Sequence, residues 1–567
     1  MSFASTGSAA RRTMAPLVVA AISLALVAGC SSNPGSANKG DGAGGGASGV
    51  LNVGMPQGAT VKNNSNPLLP TSAAAVLGYR YMIYEPLAMV NLVKPTEPAK
   101  PWLASKFEWA DNYRTLTLTA RDGVTFSDGK PMTAEDIAYS FQLMKDNKAL
   151  NTAALPIESV TASGKDVTVK FGTSQFVRQA VVLSTLVLPK HLWSAIADPA
   201  TDTVENPVGT GPYTLKSFTP QTVTLTTRNG YWQDAPKIKE LRYTTYSGND
   251  AITSALTSGA LEWTYAFIPD AKKLYTAKDP EHNKLWFPAN LSADGLWINT
   301  TNKPFDNPAL RRAMSLVINR QDIFNQASAG YFKPAVESIT GLPTPIGDAF
   351  ISPEYQGKKS EGDVASAKKL LTDAGFTYNG DTLQDPTGKP VTLTMTDPAG
   401  WGDYQTTLTI ISDNLKQIGI KATPEKADQD AWFTAIANGN FQAAMHWSNG
   451  GATPYDMYQN IMDGAGLQPV GSPATNNYGR FDNKEATQAL ADYANAADES
   501  ARKAALATLQ RIFVEQMPMI PTSAGNYGAE YSTKNWTGWP DDSNPYAPIQ
   551  PTQVNALDVV LHLKPAH

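Results

Sequence analysis

The residues Leu118-Thr119-Ala120-Arg121-Asp122-Gly123-Val124-Thr125-Phe126-Ser127-Asp128-Gly129-Lys130-Pro131-Met132-Thr133-Ala134-Glu135-Asp136-Ile137 change periodicity part way along. Leu116 and Leu118 alternate with threonines at period two, as a half-buried strand does. Asp128-Gly129 then makes a tight turn that benefits from glycine's freedom at positive φ, and Pro131 stiffens the next few residues. Thr133 is a helix-capping residue type, Glu135 and Asp136 occupy the first turn, and Ile137, Tyr139, Phe141 and Met144 continue the helix. The stretch therefore predicts strand, turn and helix. Just upstream, Glu108 to Ala120 reads as two paired strands with Asn112 at the turn.

The same alternation of elements runs through the rest of the chain. Val50 to Met55 alternates as a strand, and Asp363 to Ala374 and Tyr404 to Gln417 carry apolar residues at helical spacing. Gly375 and Gly419 are natural C-terminal stops, and Thr487 to Gln516 reads as one or two alanine-rich helices. No repeat of fixed period is present. The class is α/β with mixed sheets. Asn206 to Tyr213 is dense in turn formers, whereas Trp536 to Pro551 combines Pro, Asn and aromatic residues as ordered loops do.

Composition narrows the function. The 567 residues are 42% apolar and 17% charged, too apolar for a disordered chain, and the net charge of −5 offers no basic excess for nucleic acid. One cysteine and five scattered histidines leave no disulfide framework and no metal set, and no cofactor is implied. Mean hydropathy of −0.28 excludes a polytopic membrane protein.

Residues 1–29 read as a secretory leader: Arg11 and Arg12 form its positive start, and Met14 to Ala28 its apolar run. That run ends in Val27-Ala28-Gly29-Cys30, which resembles the bacterial lipobox and implies diacylation at Cys30. Residues 30–49 come next as a Gly/Ser-rich tether with almost no apolar side chain. A tethered, membrane-anchored protein facing outward is expected.

Four further segments, in order, are similar to the family 5 extracytoplasmic solute-binding proteins of ABC importers, the oligopeptide-binding class. They are the stretch 118–137; PVGTGPYTLKSF (207–218) with Asn229-Gly230-Tyr231-Trp232; NTTNKPFDNPALRRAMSLVINR (299–320); and Asp363 to Phe376. Their turn formers and caps assign these motifs to folding more than to a site. The resemblance implies a two-lobed periplasmic-binding-protein-like fold with an extra third domain and hinge closure over a ligand. Domain I is expected at 50–89, 208–299 and 528–567, domain II at 90–207, and domain III at 300–527. An ABC permease and its ATPase are implied partners; the chain itself carries no GxxxxGK[ST] phosphate loop.

The resemblance also bears on the ligand. Oligopeptide binders of the family place an aspartate against the peptide α-ammonium in a segment like W-x-A-D-Y-x-x-P. Here the segment is Trp447-Ser448-Asn449-Gly450-Gly451-Ala452-Thr453-Pro454-Tyr455, so the position falls on Gly450, and Asp456 lies beyond the proline. Segments 400–404, 450–455 and 538–546 look instead like the oligosaccharide-binding branch, notably its β-glucoside binders. Neutral sugars need flat aromatics for stacking and polar groups for hydroxyls. The candidate ligand residues are Trp401, Trp447, Asn449, Trp539, Asn544, Trp263, Tyr265 and Trp432, while Trp232 and Trp297 are expected in the core. An oligopeptide is the alternative. HExxH, GxSxG and a cysteine nucleophile are absent, so a binding protein, not an enzyme, is expected.

Overall fold

A computed structural model describes residues 49–567. The leader, Cys30 and most of the tether fall outside the described residues.

Three larger sheets, mixed or antiparallel, organise these residues. The first has seven strands, in the order Asn283–Trp286, Ala529–Ser532, Trp263–Thr264, Val50–Met55, Glu240–Thr245, Thr222–Thr227 and Tyr213–Phe218. Val50–Met55 runs parallel to both neighbours, and the other pairings are antiparallel. The second is an antiparallel sheet of four, Ala104–Ala110, Thr115–Ala120, Asp166–Phe171 and Ile157–Ser163. The third has five strands: Lys421–Ala427, Thr392–Pro398, Ala443–Trp447, Ala289–Ile298 and Met519–Asn526. The α/β class with mixed sheets is as expected. Ala289–Ile298, which the sequence groups with domain I, hydrogen-bonds on both edges to strands of the 300–527 segment.

The stretch 118–137 folds as its chemistry dictates. Asp111, Asn112 and Tyr113 all take left-handed backbone at the turn between the first two strands of the small sheet. Gly129 sits at φ +86°, and the helix Ala134–Asp146 starts at Thr133. The Thr133 backbone N–H donates to the Asp136 carboxylate at 2.8 Å, closing a capping box. Gly375 and Gly419 end their helices at positive φ. Thr487 to Gln516 resolves into Lys484–Asn495 and Glu499–Gln516.

The motif runs converge on buried polar knots. Glu85 is fully buried and accepts from Trp102 Nε1 at 2.8 Å, Tyr231 Oη at 2.7 Å and Trp232 Nε1 at 3.1 Å. Beside it, Arg228 donates to the carbonyls of Thr125 (2.7 Å), Thr210 (2.8 Å) and Gly211 (2.7 Å), tying the stretch 118–137 to GTGPY. Arg311 and Arg320 do the same for the run 299–320. Arg311 reaches the carbonyls of Phe305 (2.6 Å) and Met517 (3.0 Å), and Arg320 that of Pro521 (2.8 Å). Burial pulls both guanidinium pKa values down to about 10, which still leaves them charged at neutral pH.

The turn formers of 206–213 have a specific reason. An added Cβ at Gly209 would stand 2.0 Å from the Ile83 carbonyl oxygen, and one at Gly211 2.3 Å from that of Met82. Backbone meets backbone there, so neither side can yield cheaply. Gly209→Ala should lower unfolding free energy by about 2–4 kcal/mol. Gly248→Ala, whose Cβ meets nothing within 4 Å, should change it by less than about 0.5 kcal/mol. Equal urea midpoints for the two variants would contradict this.

Candidate functional site

The strands Thr392–Pro398, Lys421–Ala427 and Ala443–Trp447 run parallel, and their C-terminal ends gather aromatic side chains. Trp447 ends its strand, Trp401 precedes the helix Gly402–Lys416, and Trp432 and Phe433 lie on the helix Gln429–Asn438. His446 stacks between Trp447 (centroids 4.1 Å, planes 21° apart) and Trp432 (5.4 Å, 17°). Trp401 meets Trp432 at 5.3 Å and Trp447 at 6.1 Å. Trp432 is buried beneath, whereas Trp447 and Phe433 remain 37% and 39% exposed, which makes them the solvent face of the platform. Burial lowers the His446 pKa, so the ring between the two indoles is neutral at pH 7.

A charged group underlies the same region. Lys333 donates to Asp294 at 2.6 Å and lies 3.4 Å from Asp403, and its ammonium sits 4.6 Å from the Tyr404 ring centroid. Burial alone would lower the lysine pKa, but the two carboxylates hold it well above its usual value. Phe332, its neighbour in the chain, packs on Tyr265 at 5.6 Å. Tyr265 comes directly after the short strand Trp263–Thr264, so this aromatic contact reaches across to the seven-stranded sheet.

Beyond the platform the chain continues into a cavity of about 520 Å³. Its lining includes Leu68, Arg80, Tyr81, Arg178 and Leu188 from the earlier part of the chain and Asn449, Gly450, Gly451, Ala452 and Asp456 from the segment that comes after Trp447. Arg178 Nη1 donates to Asp456 Oδ1 within this lining at 2.9 Å. An added Cβ at Gly451 would lie 1.9 Å from Asp456 Oδ2. The glycine thus makes room for a carboxylate that folds back beside the loop, although it lies beyond the proline in sequence.

The structure brings Trp401, Trp432 and Trp447 together, places Asn449 in the cavity wall, and sets Tyr265 in the adjoining aromatic group. Trp432 serves as the platform's base, not its surface. Trp263, Trp539 and Asn544 do not join them. Trp263 and Trp539 are buried and pack edge to face at 5.5 Å. Their indole N–H groups go to the carbonyls of Ile549 (2.9 Å) and Trp536 (2.9 Å). Asn544 sits in the exposed turn after Asp541, outside the cavity lining. Trp297 is core as expected, while Trp232 is half-buried against Glu85. Sequence reasoning missed Phe433, Lys333, Asp294 and Arg178. Asp403 alone carried a signal, lying within the segment 400–404.

No helix among the described residues is long and apolar enough to cross a membrane, and no group of ligating side chains there suits a metal ion. The sequence model of the bacterial extracellular solute-binding proteins, family 5 (Middle), matches residues 99–468. Protein XP55 of Streptomyces lividans is 27% identical over 348 residues, 58% of this chain and 59% of that protein. A periplasmic oligopeptide-binding protein of an oligopeptide ABC transporter from Thermotoga maritima superposes with a TM-score of 0.81 at 24% identity. It covers 91% of this chain and 99% of its own, and its mannohexaose-bound form superposes at 0.72 with the same identity and coverage. These structures establish the periplasmic-binding-protein fold.

One buried acid stands out near Lys333. Asp397, at the end of its strand, is 1% exposed, and neither carboxyl oxygen has a hydrogen-bond partner among the described residues. Burial, reinforced by nearby Asp403, pushes its pKa up to about 8. A carboxyl whose folded pKa lies above its unfolded value of about 3.9 holds its proton more tightly when folded. Its contribution is fully present below pH about 4 and declines as pH rises toward about 8. Asp397→Asn should flatten that decline, gaining about 5 kcal/mol relative to the parent between pH 4 and pH 9 in denaturant titrations. Parallel pH profiles would refute the assignment.

Proposed function

The chain belongs to the bacterial extracellular solute-binding proteins, family 5, and from that membership we propose that it captures an oligosaccharide of β-glucoside type and delivers it to an ABC permease. It binds its solute and does not transform it. The observation that carries the sugar reading is the platform of Trp401, Phe433 and Trp447 over His446 and Trp432. Sugar rings present apolar faces that stack on such surfaces, and a partly exposed indole loses little conformational entropy when it holds one. A protein of the same fold holds mannohexaose, so the architecture accommodates a chain of sugar rings.

One observation favours the second reading, an oligopeptide. Asp456 is a carboxylate in the cavity wall and is suited in kind to an α-ammonium. Its pairing with Arg178 at 2.9 Å weighs against that use.

The assembly belongs to the same reading. Diacylation at Cys30 would hold the folded part at the outer face of the cell membrane, with the permease and its ATPase as partners.

Thermal unfolding of the mature protein against cello-, xylo- and manno-oligosaccharides and against mixed di- to hexapeptides tests the ligand. Ligand at 100 times Kd should add about 2.7 kcal/mol. Stabilisation by peptides alone would overturn the sugar reading. With a stabilising sugar in hand, Trp447→Ala should weaken binding about tenfold, and Trp539→Phe should lower Tm while leaving affinity within about twofold. For the anchor, labelling with radioactive fatty acid should mark the parent and not Cys30→Ser, and the variant should be released from the membrane fraction. A labelled variant would sink that part.

A further inference from the structure

We propose that Arg178 determines the charge class of the ligand: by supplying the counter-ion of Asp456 in the cavity lining, it reserves the cavity for solutes without an ammonium group. The inference rests on the solute-binding reading and adds a specificity determinant to it.

The two residues come from distant segments of the chain. Arg178 ends the short turn Phe176–Arg178 that comes after the four-stranded sheet, and Asp456 lies in the first turn of the helix Tyr455–Met462. Asp456 retains 11% side-chain exposure and Arg178 35%, so the carboxylate is the deeper partner and needs the neutralising charge more. Burial raises the Asp456 pKa and Arg178 opposes the rise. The carboxylate is also held in place, because Gly451 alone leaves room for its second oxygen.

The rest of the lining sharpens the point. Arg80 is the other fixed charge there, and it is occupied by the Pro67 carbonyl (3.1 Å) and the Tyr81 hydroxyl (2.6 Å). A ligand ammonium entering this cavity meets two guanidinium groups and an aspartate already paired. A neutral, hydroxyl-bearing solute meets no uncompensated negative charge. Taking Arg178 away exposes a buried carboxylate with no partner, which a ligand cation would then satisfy.

The turn that carries Arg178 does not depend on that pair for its position. Phe176 packs on Tyr493 at 6.0 Å, Arg502 lies 3.7 Å from the Phe176 ring centroid, and Asn112 Nδ2 donates to the Asn495 carbonyl at 2.8 Å. Arg178→Gln is therefore expected to fold, with circular dichroism and Tm as checks.

The test measures Kd calorimetrically for two matched probe pairs at mildly acidic pH. One pair is cellotetraose and the β-1,4-linked glucosamine tetramer, and the other is N-acetylated and free tetra-alanine. Arg178→Gln should shift the ratio of affinities toward the amine-bearing member of a pair by about tenfold or more. The double variant Arg178→Gln/Asp456→Asn removes the orphaned charge and should return the ratio to within about threefold of the parent. An unchanged ratio in Arg178→Gln, or a shift that persists in the double variant, overturns the proposal. Failure of the parent to bind cellotetraose sinks the sugar reading, whereas the tetra-alanine pair tests Arg178 independently of it.

Discussion

The carboxylate of Glu85 is the group on which the neighbouring architecture depends. It is fully buried, burial pushes its pKa up, and three side-chain donors from Trp102, Tyr231 and Trp232 compensate it. Those donors come from distant parts of the chain, one ahead of the four-stranded sheet and two between strands of the seven-stranded one. An unpaired buried carboxylate is costly enough that the segments must meet there or not fold. Arg228 repeats the logic with carbonyl acceptors, and Arg311 and Arg320 repeat it around the five-stranded sheet. The sheets supply surface, and these buried polar groups tie the connections between strands to one another.

Against that rigid background the site is built from ends. The platform stands at the C-terminal ends of parallel strands, where side chains are free of the ladder and loops can vary. Lys333 with Asp294 and Asp403 forms a compact charged cluster beneath it. At the adjoining cavity the Arg178–Asp456 ion pair joins two segments of the lining, and Phe176 packs on Tyr493 beside it.

Much of the fold was legible because its signals are local. Thr133 and Asp136 form the capping box their spacing suggests, and Asp128-Gly129 turns where expected. The turn formers at 206–213 were visible, but their cause was not, since the Ile83 carbonyl that forbids a side chain at Gly209 lies far away in sequence. The site was only half legible for the same reason. Trp401 and Trp263 both stand beside polar residues, and nothing local tells that one faces the platform while the other packs on Trp539. Arg178 carried no signal, because its partner is 278 residues away. The sheet partners of Ala289–Ile298 were not legible either, because they come more than a hundred residues later in the chain.

The segment Ala443 to Asp456 performs four tasks in immediate succession. Its first residues pair with Ala289–Ile298, His446 and Trp447 form the platform, residues 449–452 wall the cavity, and Asp456 holds Arg178. Each task fixes a position along the chain, not only a residue type. Such a segment is constrained in length as well as in residue type, because one inserted residue would move the indole, the cavity wall and the carboxylate together. New ligand preferences in proteins built this way would be reached by substitution within a constant frame, and loop-length variation would collect on other edges of the cleft.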